Sequence, residues 1–407
     1  MLSVTRLLCG TATPGDALRY GRHSARLPAG LLHFAADKKP VVVWNCTRRC
    51  DLKCVHCYAS AADRDFPGEL STAEGRALLE DLRAFGVPAV LFSGGEPLLR
   101  PDLFELAGYA VELGLRAVLS TNGTHIDDAT ADRIKETGFS YVGVSLDGLE
   151  EVHDKVRGIK GAFQASLAGI RRCRQRGVRV GLRYTVHQLN IDELPGVFDL
   201  LEREDIPRCC FYHLAYAGRG EKLKRLDLTP AETRRAVDYV FDRTLDFHRR
   251  GLDKDILTVD NHADNAYLYL RLEQDEPERA AEVYRMLRWN GGNQSGIAIG
   301  CVDNEGNVHP DQFSWHVPLG NVRERPFSEI WEDRSNELMA LMKEKPRQIT
   351  GRCANCRFFS LCNGNLRVRA HSYHGDWRAE DPACYLTDAE IDPALPLPAL
   401  EELEEAR

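Results

Sequence analysis

Residues 40–58 read PVVVWNCTRRCDLKCVHCY. A β-branched run, Val41–Val43, gives way to four cysteines at 46, 50, 54 and 57. The apolar run has the composition of a buried strand, and the cysteines fall in the loop that leaves it. Cys50, Cys54 and Cys57 are spaced C-x3-C-x2-C, three thiols within eight residues. Such a loop can wrap one face of a metal centre, and soft sulfur donors suit zinc or iron–sulfur chemistry. Structural zinc takes four ligands, usually as two separated pairs. Three thiolates with no fourth partner nearby fit a 4Fe–4S cluster with one iron left open for a substrate or cofactor, with zinc as the competing reading. Cys46, at the strand end, stands outside the triple and is read as a non-ligand thiol.

Outward from this loop the chain alternates strand and helix. Strand-like runs recur at 40–45, 89–94, 116–121, 141–146, 178–186 and 209–215, separated by amphipathic helical stretches such as STAEGRALLEDLRAFG and GAFQASLAGIRRCRQRG. Apolar strands alternating with helices mean βα units on a parallel sheet. Six units predict an α/β fold, a partial (βα)6 barrel of the TIM type, with its chemistry at the C-terminal strand ends. Each notable motif falls there: the cysteine loop after the first strand, SGGEP (93–97) after the second, STNGT (120–124) after the third and SLDG (145–148) after the fourth. The expected organisation is an extension (1–39), the barrel (40–260), a helical linker (261–295), a smaller C-terminal domain (296–390) and an acidic, Pro-rich tail (391–407) that is loosely held. A long helix is expected over 229–250, a hairpin around DNEGNV and a helix near 326–345.

The composition, 43% hydrophobic and 28% charged, is that of an ordinary soluble globular protein. A net charge of −8 argues against a nucleic-acid backbone as partner. No apolar run reaches the roughly 18 residues of a membrane span, and the first residues carry no signal-peptide core. The reading is a cytoplasmic protein, with no membrane or nucleic-acid partner and no oligomeric state legible. Thiols stay reduced in that compartment, so the thirteen cysteines speak for metal ligation rather than disulfides.

The strand-end motifs offer ligand chemistry. Gly94 and Gly95 permit close approach of backbone to a ligand, Glu96 can accept from an ammonium, and Pro97 fixes the turn. Asn122, Ser145 and Asp147 suit a ribose diol and a carboxylate, or equally cap helices. Arg157 and Arg183 are cations for a carboxylate, although Arg157 could equally be a surface ion pair. A second cluster reads Cys353, Cys356, Cys362 (C-x2-C-x5-C), with Cys384 22 residues later. Four thiolates on converging segments can close a complete site, zinc or iron–sulfur. Cys9, Cys173, Cys209 and Cys210 have no such spacing and are read as core.

The cysteine triple with Tyr58 directly after it, followed one βα unit later by GGEP, resembles the radical S-adenosylmethionine (SAM) superfamily. The resemblance implies that Cys50, Cys54 and Cys57 hold a 4Fe–4S cluster. SAM binds its open iron, and one electron from a reductant such as ferredoxin or flavodoxin splits SAM into methionine and a 5′-deoxyadenosyl radical. It implies SAM contacts from Tyr58, Gly94, Gly95, Glu96, Pro97, Asn122, Ser145, Asp147 and Arg157, and it assigns no cluster-ligand role to His56, whose place is packing or solvent. The C-terminal cysteines resemble a SPASM/Twitch-type iron–sulfur domain, which implies an auxiliary 4Fe–4S cluster on Cys353, Cys356, Cys362 and Cys384. CNGNLRVRA (362–370) lacks the further cysteine of the two-cluster form, so one auxiliary cluster is expected. Cys301 matches an early ligand of the missing cluster, and its role stays open.

The runs DFPGELS (65–71), HLAYAGRG (213–220), 307–331 and 362–370 resemble tetrapyrrole-modifying members. This implies an iron-tetrapyrrole substrate and removal of the two acetate side chains of didecarboxysiroheme to give iron-coproporphyrin III. The competing branch acts on the propionates of the same substrate in haem d1 synthesis. Such a substrate would draw Arg219, Arg352, Arg367 and Arg369 to its carboxylates, His213, His309 or His316 to its iron, and Phe313 or Trp315 to its face. Two rivals remain. A peptide-modifying SPASM enzyme would want a recognition domain, for which 1–39 is short and loop-like. A zinc-stabilised binding protein would want a fourth ligand beside the first triple.

Overall fold

The computed structural model describes residues 1–24 and 27–398. The run that opens the argument becomes β2 (Val41–Thr47), every residue of it buried after the first. The chain supplies β1 (Leu2–Ser3), then β2, β3 (Ala89–Gly94), β4 (Arg116–Thr121), β5 (Tyr141–Ser145), β6 (Val180–Val186), β7 (Arg208–His213) and β8 (Asp255–Val259). The C-terminal part adds β9 (Ile299–Val302), β10 (Asn307–His309) and β11 (Gly320–Asn321). The sheet order is β1-β8-β7-β6-β5-β4-β3-β2-β9-β10-β11. All neighbours from β8 across to β9 are parallel. The order is linear, so the barrel is open, as expected of a partial one.

Two parallel strands join the six read from the sequence. DILTV (255–259) is a short strand between charged flanks, and its partner β7 supplies the ladder that the sequence pattern does not advertise. The run GIAIGC (296–301), which opens the smaller domain, leads into β9, and β9 pairs in parallel with β2, Val43 opposite Cys301, so the C-terminal part is hydrogen-bonded into the barrel sheet. The hairpin at DNEGNV is present, with Val308 opposite Val302.

The crossover helices follow their sequence signals. The helix Thr72–Phe85 starts at a capping box, Ser71 with Glu74, and stops at Gly86 with φ 86°. Leu78, Leu79 and Leu82 bury against the sheet, and Gly75 is there because a Cβ would lie 2.7 Å from the Trp44 ring. The helix expected over 229–250 spans Pro230–Arg249. That expected near 326–345 is two, Phe327–Glu332 and Glu337–Lys343. The N-terminal extension is not mere loop: β1 pairs antiparallel with β8, and Val4, Leu7 and Leu8 are buried. Residues 399–407 of the tail lie outside the described residues. Among the described residues no helix is long and apolar enough to cross a membrane.

Candidate functional site

The barrel encloses a cavity of about 500 Å³, the scale of a cofactor-sized ligand site. Cys50, Cys54 and Cys57 all line it. Their loop is pinned from three directions. From the β5–β6 side, the amides of Lys53 and Val55 donate to the carbonyls of Arg157 and Val156, both at 3.0 Å. From the β4 side, Asn122 Nδ2 and Thr124 Oγ1 donate to Asp51 at 2.7 and 2.8 Å. From the β7 side, Arg219 donates through Nε to Cys54 O at 2.8 Å and through Nη1 to Ala61 O at 2.7 Å. Three βα units thus hold one loop, which fixes the thiols before any ligand arrives.

Burial pushes the thiols of Cys50 and Cys54 above the ordinary value, so each needs positive charge to ionise. Arg157 Nη1 supplies some, 3.4 Å from Cys54 Sγ. Two more donors beside the loop, Arg157 Nε and Arg219 Nη2, are buried without an acceptor among the described residues. Cations crowded around three thiols suit a thiolate-ligated, negatively charged cluster.

Gly94, Gly95, Tyr58, Asn122, Ser145 and Arg157 reach the cavity wall; Glu96, Pro97 and Asp147 do not. The glycines are demanded by the cysteine loop itself: a Cβ on Gly94 or Gly95 would stand 2.1 Å from the carbonyl oxygen of Thr47 or Arg49. Glu96 is fully buried, and its oxygens accept from Leu98 N at 3.0 Å, Thr121 Oγ1 at 2.7 Å and Asn122 N at 2.7 Å. It ties GGEP to STNGT. Asp147 is likewise fully buried, 2.6 Å from Arg157 Nη2 and 3.4 Å from His56 Nε2. Burial alone would push its carboxyl up, but the Arg157 guanidinium holds it below the ordinary value. Burial in turn drives His56 down to about 3, so the imidazole is neutral. Tyr58 OH donates to Asn45 Oδ1 at 2.9 Å, and Asn45 Nδ2 stands 3.2 Å from Cys301 Sγ. Cys301 therefore sits behind the SAM-side wall, not at the C-terminal cysteines. Cys46 packs in the main core, its thiol donating to Ser93 O and pushed by burial to about 12.

Burial raises the thiols of Cys353, Cys356, Cys362 and Cys384, and Cys353, Cys362 and Cys384 each lie close enough to another of the set for its charge to oppose their ionisation. Arg352 lies near Cys384, and Arg367 near Cys353 and Cys362, both favouring thiolates. Of the arginines expected at substrate carboxylates, Arg219 lines the cavity and keeps Nη2 without an acceptor among the described residues, while the other three bond largely within the chain. Arg352 holds Asp388 and the Leu386 carbonyl. Arg367 donates to the carbonyls of Trp377 and Ala379. Arg369 forms a fully buried pair with Asp381 at 2.8 Å and donates to the carbonyls of Leu214 and Asp260, tying the C-terminal part to the barrel. Arg183 lines the cavity, is held by Ser120 Oγ at 2.6 Å and has no acidic partner among the described residues. Asp51, Asn45 and Asp264 were not singled out in the sequence. Asp51 alone carried a signal, its place inside the cysteine motif.

Residues 44–201 match the family model of the radical SAM superfamily, and residues 296–357 that of an iron–sulfur cluster-binding domain, SPASM. The chain is 58% identical to Fe-coproporphyrin III synthase of Methanosarcina barkeri, over 96% of this chain and 99% of that protein. It is 44% identical to pre-heme d1 synthase of Dinoroseobacter shibae, over 89% and 90%. In fold it resembles Streptococcus suis SuiB bound to S-adenosylmethionine, with a TM-score of 0.68 at 19% identity, over 86% of this chain and 78% of that one. The chain belongs to the radical SAM superfamily, as an enzyme carrying a SPASM iron–sulfur domain.

Proposed function

We propose that this enzyme removes the two acetate side chains of didecarboxysiroheme and releases iron-coproporphyrin III. The observation that carries the reading is the 58% identity, over nearly the whole of both chains, to a protein named for Fe-coproporphyrin III synthesis. The 44% match to pre-heme d1 synthase supports the same substrate class and makes propionate chemistry the second reading.

In this reading Cys50, Cys54 and Cys57 hold the SAM-binding 4Fe–4S cluster, and Cys353, Cys356, Cys362 and Cys384 hold the auxiliary one. When bound, the first cluster and SAM supply a carbon-centred radical able to take a hydrogen atom from an unreactive C–H bond. The chain's own residues set the stage. Gly94, Gly95 and Asn122 present backbone and amide groups to SAM at the cavity wall, and Ser145 and Arg183 offer donors to a carboxylate. Tyr58, fixed through Asn45, packs edge-on to Phe313 at 5.4 Å and closes the wall between the cysteine loop and the apolar side of the cavity. Glu96 and Asp147 act from behind, the first by orienting STNGT and the second by orienting Arg157.

The test is anaerobic turnover of didecarboxysiroheme with SAM and a one-electron reductant, followed by mass spectrometry. Loss of both acetates with formation of 5′-deoxyadenosine is the expected result. Propionates altered with acetates kept would move the enzyme to the second reading, and SAM cleavage with an untouched tetrapyrrole would overturn both.

A further inference from the structure

The tetrapyrrole reading leaves open what holds the substrate iron, and the structure sorts the histidines. His309 is fully buried with both ring nitrogens engaged, Nδ1 with Val317 O at 3.2 Å and Nε2 with Asp303 at 3.1 Å, and it does not line the cavity. His316 is also off the cavity, stacked on Trp377 and His371. Four histidines do line it: His33, His56, His213 and His262. In His33, His56 and His262 a ring nitrogen without a partner is enclosed by protein atoms. His213 differs. It ends β7, at the C-terminal edge of the barrel where the motifs gather. Its Nε2 stands 3.0 Å from Asp264 Oδ2, its Nδ1 has no hydrogen-bond partner among the described residues, and the side chain is 13% exposed.

Asp264 is itself fixed in place. It is fully buried, and Tyr385 OH donates to its other oxygen at 2.7 Å. An imidazole that gives one N–H to a buried carboxylate is locked in one tautomer, with its other nitrogen a basic lone pair; metal-binding histidines are held this way. The wall beside it is apolar, from Leu214, Ala215, Phe313 and Leu366, surface suited to the face of a macrocycle.

We propose that His213 is the axial ligand to the substrate iron, through Nδ1, with Asp264 as its positioning residue; the proposal rests on the iron-tetrapyrrole reading above. The step is a dative bond from the neutral imidazole to iron, displacing a weaker ligand such as water, with no change of oxidation state. It orients the ring, because one face must turn toward β7.

Ferric coproporphyrin III and metal-free coproporphyrin III are titrated separately into the anaerobic holoenzyme, followed by absorption and electron paramagnetic resonance. The wild-type chain binds the iron form more tightly than the metal-free form, with the signature of nitrogen-ligated iron. His213→Ala loses that signature, binds both forms alike, and regains the signature with added imidazole. Its unchanged affinity for the metal-free ring and intact iron–sulfur absorption show that it is folded. Asp264→Asn keeps the signature but weakens iron-form binding by about 10–100-fold. A nitrogen signature surviving in His213→Ala overturns the proposal, as does wild-type binding of both forms alike with a water-ligated spectrum, which leaves the tetrapyrrole reading standing. Binding of neither ring by the wild-type chain overturns both.

Discussion

Arg157 Nη1 lies 3.4 Å from Cys54 Sγ, so a cation from the far side of the barrel touches the thiol at the centre of the cysteine triple. Its Nη2 is 2.6 Å from the fully buried Asp147. One guanidinium serves a thiol and a carboxylate. Replacing Arg157 by Met strands the Asp147 charge, and unfolding free energy falls by about 3–5 kcal/mol. Adding Asp147→Asn removes the stranded charge and recovers more than half of the loss, read by denaturant titration under anaerobic conditions. Full loss in the double variant would contradict the pairing.

Gly218 carries the strap from β7 across the cysteine loop. Its φ is 54°, and a Cβ would meet Tyr58 O at 2.2 Å and Cys57 O at 2.6 Å. Gly218→Ala is therefore expected to displace the loop and deplete iron from the first site, leaving the auxiliary iron in place. Gly251→Ala, with φ of 70° and nothing within 4 Å, bears similar backbone strain and keeps its iron. Iron content of the two variants compared with wild type decides the matter.

Glu96 makes the fold pH-dependent. Burial lifts its carboxyl from 4.5 to about 7, against the three donors that favour the anion. The folded chain thus keeps a proton that the unfolded chain releases above pH 4.5. Stability from this group is full below that value and is lost as pH rises toward about 7, by up to about 3 kcal/mol. Glu96→Gln, which cannot titrate, is expected to flatten the decline of unfolding free energy between pH 5 and 7. An unchanged slope would assign the dependence elsewhere.

Much of this was legible in advance, because the strands are short, β-branched and separated by well-capped helices, and because each motif sits at a strand end. The cysteines of both sets could be grouped by spacing alone, since converging thiols have few other uses in a reduced chain. What could not be read was which side each polar residue faces. Glu96 and Asp147 look like ligand contacts in a string of letters, yet they face inward and act on Thr121, Asn122 and Arg157. Arg369 looks like a carboxylate binder, yet its donors go to Asp381 and to the carbonyls of Leu214 and Asp260. β8 and the pairing of β9 with β2 depend on long-range hydrogen bonds, which leave no local pattern.

The claim on which the account stands is that two separate thiol sets each hold one 4Fe–4S cluster while Cys46 holds none. The measurement that tests it most directly is iron, sulfide and zinc content of the anaerobically purified chain, alongside the C50A/C54A/C57A, C353A/C356A/C362A and C46A variants. The account predicts about eight iron per chain in wild type and C46A, and about four in each triple variant. About two zinc ions with no labile sulfide would contradict it.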